Sequence, residues 1–313
     1  MRLNQFGIID VTGVDAVTFL HSQLTNDIKN LDLYSALFTG YCSPKGRLLA
    51  SLLVWRTEHT VRLLVSRDIQ TVVQNKLSMF ILRSKIKLLN SSDTLDVVGL
   101  TGNACNVLLD LFSSIPSNVY SKVDGPSGSL IRVSDAVGRK RYLWISTRTC
   151  VDEFINKLDD TLPIVSRYVW DWLDIRAGEA RITKKTIGQF TPQMVNFDII
   201  GAINFQKGCY PGQEVISRSQ YLGTIKRRVM LAHVEHTMLS AINCNKRLVG
   251  VELFHSDDTS QPCGMVVNSV AISLNRINAL VEIKLTALFR GSIHIGSISG
   301  PTLLFEPLPY AFT

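Results

Sequence analysis

The densest gathering of reactive groups in the sequence is Lys207-Gly-Cys-Tyr-Pro-Gly-Gln-Glu214. It places a cation, a thiol, a phenol, an amide, a carboxylate and two glycines in one short run. The glycines let a backbone approach a ligand closely or adopt positive φ. A cation near Cys209, from Lys207 or Arg218, favours the thiolate, which is the form that reacts or binds metal. Gln213 and Glu214 offer acceptors to the amino groups of a ligand, and Tyr210 offers a phenol. The plain alternative is a tight turn around a buried cysteine. Reactive side chains collected on a glycine-rich loop occur more often in sites than in turns, which favours a functional Cys209 assisted by Lys207.

Other kinds of chemistry find less support. The six cysteines, Cys42, Cys105, Cys150, Cys209, Cys244 and Cys263, are scattered and form no CxxC pair. That spacing fits neither a zinc site nor a disulfide framework, and it gives no permanent iron–sulfur ligand set. Reduced thiols in a cytosol fit best. The histidines show no H-x-x-x-H or H-E-x-x-H spacing, so no metal site is expected. There is no GxGxxG and no P-loop. A net charge of +7 attracts polyanions such as RNA or a polyglutamylated cofactor. The clusters Lys184-Lys185, Arg139–Arg141 and Lys226–Arg228 lack an aromatic platform and read as solvated faces or strand ends.

Elements must hold these groups in place. Thr12-Gly-Val-Asp15 reads as a helix start, with Thr12 as cap and Asp15 reaching back. Val17, Leu20, Leu24 and Ile28 follow at helical spacing. Next comes a hairpin, LFTGYC and LLASLLVW around the turn Ser43–Arg47, with Pro44 and Gly46 supplying the turn. A strand over Val61–Ser66 and a helix from Asp68 towards Arg83 follow. Strands near Ile86–Leu89 and Leu95–Leu100, a helix over Asn103–Phe112, two strands over Ser129–Ser134 and Arg141–Ser146, and a helix over Cys150–Leu158 repeat the pattern. Such mixing predicts α+β architecture with largely antiparallel sheet. Ser166–Gly178 reads as a helix closed by glycine. The long irregular stretch Glu179–Gly212 is of the kind that carries function. Beyond Arg227 short strands dominate and predict a small antiparallel barrel. The expected division is therefore residues 1–226 and 227–313.

Hydrophobic residues at 46% and charged residues at 19% place the chain among packed globular proteins. The N-terminal MRLNQFGIID has no apolar h-region, and no window holds about 18 uninterrupted apolar residues. No membrane contact and a cytoplasmic location are the expectation.

KGCYPGQE resembles the signature K-G-C-[YF]-x-G-Q-E of the YgfZ family, which is related to the glycine-cleavage T-protein. His21–Ile28 (HSQLTNDI) resembles the family's Q-L-T-N-D helix, and SPKGR its first-hairpin turn. The segment QFTPQMVNFDIIGAINFQKGCY keeps a Pro-Gln element ahead of the signature, and Glu306–Tyr310 (EPLPY) resembles the C-terminal ending of bacterial members. The resemblance runs from about residue 6 to the C-terminus. It implies a T-protein-like folate-binding core of two related α+β segments plus a C-terminal antiparallel β-barrel. Tetrahydrofolate is the implied ligand. The implied role is maintenance of iron–sulfur enzymes, including one that modifies tRNA, with a link to regulation of replication initiation through the DnaA-ATP level. Trp170 and Phe6 fall at the family's folate-contacting aromatic positions. Phe stands where the family has Trp, so at Phe6 a stacking face is kept and the indole donor is lost. Tyr210, Gln213, Glu214 and Arg218 are further candidate contacts.

Two functions compete, and a third, a tRNA-binding module making a weak direct contact to tRNA, rests on the positive charge alone. One is an accessory protein that binds tetrahydrofolate and uses the Cys209 thiol without classical turnover. The other is a folate-dependent one-carbon transferase of the T-protein type. T-protein-like enzymes carry an acidic pair shortly after the glycine of the first-hairpin turn. Here Ala50-Ser51 stands in its place, which removes both the base and the charge partner such a transfer needs. The accessory role is the favoured expectation.

Overall fold

The computed structural model describes residues 1–157, 163–235, 248–258, 260–273 and 276–312. Internal packing divides them into two compact units. The first comprises Met1–Cys42, Ala50–Arg167 and Ala202–Pro211, and the second Ser43–Leu49, Tyr168–Gly201 and Gly212–Thr313. Residues 1–226 thus contribute to both units.

The first unit holds two antiparallel sheets. In one, β1 (Phe6–Thr12), β2 (Ala36–Cys42), β3 (Leu48–Arg56), β4 (Thr60–Ser66) and β5 (Lys87–Asn90) lie in the order β2-β3-β4-β1-β5. The opening residues of β3 belong to the second unit. α1 (Ala16–Gln23) packs on β4 and α2 (Gln70–Ser78) on β1. In the other sheet, β6 (Leu95–Thr101), β7 (Lys122–Gly125), β8 (Gly128–Ala136) and β9 (Arg139–Thr147) lie in the order β6-β9-β8-β7, covered by α3 (Arg148–Lys157). Alternating apolar residues feed its core, where Trp144 stacks edge-on against Phe154 at 5.0 Å and donates its indole N–H to the Ser127 carbonyl.

The second unit carries α4 (Arg167–Arg176, whose first residue lies in the first unit), α5 (Gln213–Tyr221) and a six-stranded antiparallel sheet. The strands β10 (Arg227–Glu235), β11 (Glu252–His255), β12 (Gly264–Ser273), β13 (Arg276–Lys284), β14 (Ile293–Ile295) and β15 (Leu304–Glu306) lie in the order β14-β11-β12-β13-β10-β15. This sheet curls as a half-barrel around Val234, Leu253, Val266, Val281, Ile283 and Ile295. The α+β class and a C-terminal antiparallel β-structure are as expected. No helix among the described residues is long and apolar enough to cross a membrane.

Several local expectations need correcting. Thr12 ends β1 and caps nothing. Asp15 is the residue before α1 but makes no side-chain cap, and its carboxylate accepts the Lys85 N–H at 2.7 Å. α1 stops at Gln23 rather than Ile28, because the backbone turns extended at Leu24 and Thr25 donates to Gly40 on β2. The helix expected over Asn103–Phe112 is a 3-10 helix over Gly102–Asp110. α5 was not anticipated: Val215, Ile216, Ser217 and Ser219 are weak helix formers. Its tertiary partners supply what propensity lacks.

Candidate functional site

Lys207 heads a loop bound to the C-terminal end of α1. Its Nζ donates to the carbonyl oxygens of His21 and, at 2.6 Å, of Leu24. The last turn of a helix leaves such carbonyls without intrahelical donors and carries the negative end of the dipole, so a lysine ammonium suits it. The same ammonium lies 5.0 Å from the Tyr210 ring centroid, over its electron-rich face. Lys207 is only 8% exposed, and burial pushes its amine down to about 8; Asp27 acts against the shift and Lys29 with it.

Thr25 explains why the loop seats there. It is fully buried; its Oγ1 donates to the Ala202 carbonyl at 2.7 Å and accepts the Gly40 N–H at 2.8 Å, and its own carbonyl accepts the Asn204 N–H at 3.0 Å. Asn204 Oδ1 in turn accepts the Gln206 and Lys207 amides. One threonine thereby ties α1, β2 and the loop together. His21 sits against the same loop: its Nδ1 is 3.2 Å from Asp27 Oδ1, and a Cβ at Gly208 would stand 3.7 Å from its Nε2. Burial, then Lys207, lowers the His21 pKa, so the imidazole is neutral at neutral pH.

Between these anchors the chain alternates. Lys207 and Tyr210 point inward, and Cys209 is exposed. The Tyr210 hydroxyl is buried with no hydrogen-bond partner among the described residues, and burial, then Cys42, pushes the phenol's pKa well up. Cys42 and Cys263 are buried and pushed up by burial, and Cys150 is half-buried. The surroundings of the Cys105 side chain and of Cys244 lie outside what is described. Among the cysteines described, Cys209 alone is open to reagents.

The remaining candidates fall elsewhere. Gln213, Glu214 and Arg218 stand on α5 in the second unit. Arg218 pairs with Glu214 at 2.7 Å, both exposed, and Gln213 is half-buried. α5 opens at Gly212, whose left-handed backbone (φ +82°) packs against Ser43 and Gly46 of the first-hairpin turn; a side chain at Gly212 would collide with that backbone. Gln193 donates to the Ile216 carbonyl at 2.7 Å, and Arg47 to Gln189 at 2.7 Å. Phe6 begins β1 in the first unit, half-buried; Trp170 is on α4 in the second unit, 1% exposed. Ala50 and Ser51 are both buried on β3. Three members of the basic clusters hold the fold: Arg228 makes a bidentate pair with Asp198, Arg227 pairs with Glu282, and fully buried Arg141 donates to Ser134; Lys184, Lys185, Arg139 and Lys140 are exposed. Thr25, His21 and Asn204 were not singled out from sequence. Only Thr25 lies in the Q-L-T-N-D run, which in isolation looks like an ordinary polar helix end; His21 and Asn204 stand outside it.

No family model matches the chain. It is 31% identical over 227 residues to the tRNA-modifying protein YgfZ of Hamiltonella defensa, covering 72% of this chain and 67% of that one. To the tRNA-modifying protein YgfZ of Colwellia psychrerythraea it is 30% identical over 229 residues, covering 72% and 69%. To that of Sodalis glossinidius it is 26% identical over 314 residues, covering 99% and 92%. Among solved structures it resembles the glycine cleavage system aminomethyltransferase T from Bartonella henselae, with a TM-score of 0.73, 16% identity, and coverage of 97% of this chain and 83% of that one.

Proposed function

The chain belongs to the family of the tRNA-modifying protein YgfZ, and from that premise we propose that it serves tRNA modification as a tetrahydrofolate-binding accessory protein whose working group is the Cys209 thiol. The observation that carries the reading is the alternation at the signature loop. Lys207 and Tyr210 are buried anchors, and the thiol between them is exposed on a loop fixed to α1. A thiol held out rigidly is suited to reversible chemistry with a partner. Maintenance of iron–sulfur enzymes, including a tRNA-modifying one, and the consequent effect on replication initiation through the DnaA-ATP level belong to this proposal.

The folate part rests on the T-protein-like fold. The fit of the expected contacts is uneven. Phe6 retains accessible ring surface, whereas Trp170, at 1% exposure, offers no open face and would back a pocket rather than stack within it. Tyr210 brings a protonated, unpartnered phenol. Bound folate would supply a one-carbon carrier; this chain's residues would bind and orient it. Transfer of the T-protein type is disfavoured, because buried Ala50 and Ser51 bring no carboxylate to the first hairpin.

The test is complementation of a deletion strain. Cys209→Ser protein should accumulate at the wild-type level and melt at the wild-type temperature, yet leave tRNA thiolation and iron–sulfur enzyme activities at the deletion level, while Cys150→Ser restores both. Full restoration by Cys209→Ser would reduce the signature to a structural loop.

A further inference from the structure

A second concave site lies wholly within the first unit, between α1 and the turn that follows α2. It encloses about 840 Å³ and is lined by Asp15, Thr18, Ser22 and Gln23 on one side and by Phe80 and Arg83 on the other, with Phe19 beneath. That volume is within the range of small-ligand sites, about 300–1,000 Å³. We propose that this cleft holds one nucleoside monophosphate unit of an RNA strand or a free nucleotide, its base against Phe80 and its phosphate at Arg83, with preference for bases that carry an amino group. The inference extends the tRNA-modification reading and rests on it for biological sense.

Four features of the cleft support this. Phe80 is a large aromatic 45% exposed at the cleft wall, the kind of face on which a base stacks. Arg83 is exposed and forms no ion pair among the described residues, so its planar fork is available to a phosphate. The half-buried Asp15 carboxylate is the acceptor at the α1 wall, and behind that wall Gln23, 9% exposed, keeps a buried Oε1 with no hydrogen-bond partner among the described residues. An acceptor here matches the exocyclic amino groups of cytosine, adenine and guanine, whereas uracil has no amino group and offers only its ring N3–H. The cleft is thus polarised, with an acceptor at one wall and a cation at the other.

The turn is also built to hold this shape. The chain passes so close at Gly13 (φ +116°) that a side chain there would collide with the Lys85 carbonyl, which seats the turn on the β1–α1 connection. Leu82 adopts a left-handed φ of 42°, uncommon for a leucine, and is 90% exposed. Backbone strain of this kind clusters at ligand-holding segments. Around the cleft, residues 67–90 carry Arg67, Lys76, Arg83, Lys85 and Lys87 against Asp68 alone. Lys76, Lys85 and Lys87 are exposed, and none of the three makes an ion pair among the described residues, so a polyanion leaving the cleft would meet cations.

Full-length protein would be titrated into fluorescein-labelled oligocytidine and oligouridine octamers, with unlabelled CMP as competitor. The octacytidine should bind more tightly than the octauridine. Phe80→Ala should weaken it by about tenfold, in line with loss of one stacked base. Arg83→Gln should weaken it too and lower the slope of log affinity against log salt by about 0.7. Competition by CMP would assign the site to free nucleotide, and its failure to RNA; either supports the cleft. Because both side chains are exposed, melting temperatures should be unchanged, which separates binding from folding. Absence of binding by every probe, equal affinity for the two octamers, or affinity unmoved by both substitutions would overturn the assignment. Such a failure leaves the Cys209→Ser complementation result untouched, and failure of that complementation test leaves these affinities untouched.

Discussion

At the scale of single residues, Lys207 has a different part from the one its place beside Cys209 invites. Its ammonium is directed at two helix-end carbonyls and a tyrosine face, so its evident work is to position the loop. The lowered amine pKa has a consequence for stability. Burial brings it to about 8 from an ordinary 10.5, opposed by Asp27 and assisted by Lys29. Between those two values the unfolded chain binds the proton and the folded chain does not, so the Lys207 contribution to stability grows as pH rises. Lys207→Met lacks that linkage. The stability difference between wild type and Lys207→Met, from urea melts at pH 7.5 to 10, should therefore shift in favour of the wild type with increasing pH. A difference independent of pH would mean that the amine is solvated. At neutral pH the substitution should also raise the rate at which Cys209 loops are cut by protease, because the tie to α1 is gone.

At the scale of elements, what holds the second unit is the contact of short segments with the ends of helices. α4 ends at Arg176, and just beyond it the Tyr310 hydroxyl donates to the Gly178 carbonyl at 2.8 Å while accepting from Asn196 Nδ2 at 3.2 Å. Asn196 itself sits left-handed after the 3-10 turn Pro192–Val195 and also donates to Val229 on β10. Four residues before Tyr310, on β15, the pattern recurs: Glu306 receives Arg176, Arg276 and His233; burial alone would raise its carboxyl, and the three partners together hold it below the usual range. Tyr310→Phe keeps the ring and deletes the hydroxyl, leaving the Gly178 carbonyl and the Asn196 amide short of a partner. It should cost about 1–3 kcal/mol, the usual penalty for a stranded buried group, read as a lower denaturant midpoint with unchanged slope. No loss of stability would show that water replaces the hydroxyl without cost.

At the scale of the whole molecule, the fold resembles that of the glycine cleavage system aminomethyltransferase T, while buried Ala50 and Ser51 bring no carboxylate to the first hairpin. If the chain binds tetrahydrofolate without the transfer reaction, as proposed, this ligand must stabilise the fold. Binding to the folded state alone adds about 2.7 kcal/mol at a hundredfold excess over Kd. Tetrahydrofolate should accordingly raise the thermal midpoint by several degrees, with a logarithmic dependence on concentration. The shift should shrink in Trp170→Phe, a substitution chosen because truncating so buried an indole to Ala would cost about 3–5 kcal/mol in packing alone. No shift at any concentration would remove folate from the proposal.

The sequence by itself determined the class of the fold, most of the strands and the one loop that matters, because those follow from local rules: apolar alternation, glycine and proline at turns, and a run of reactive types too dense to be packing. It also determined the family, through an octapeptide whose residues are legible one after another. Only the tertiary structure decided what each residue of that octapeptide does. Lys207 turns inward because helix-end carbonyls from residues nearly two hundred positions earlier lack donors. α5 exists because Gln193 and the first-hairpin turn meet it, not because its sequence favours a helix. Arg141, Arg227 and Arg228 are held by partners within the fold, while Arg83 is exposed and makes no ion pair among the described residues, a distinction invisible in a charge count. Hydrogen-bond satisfaction and burial are settled between segments distant in the chain, so they could be known only once the chain had folded.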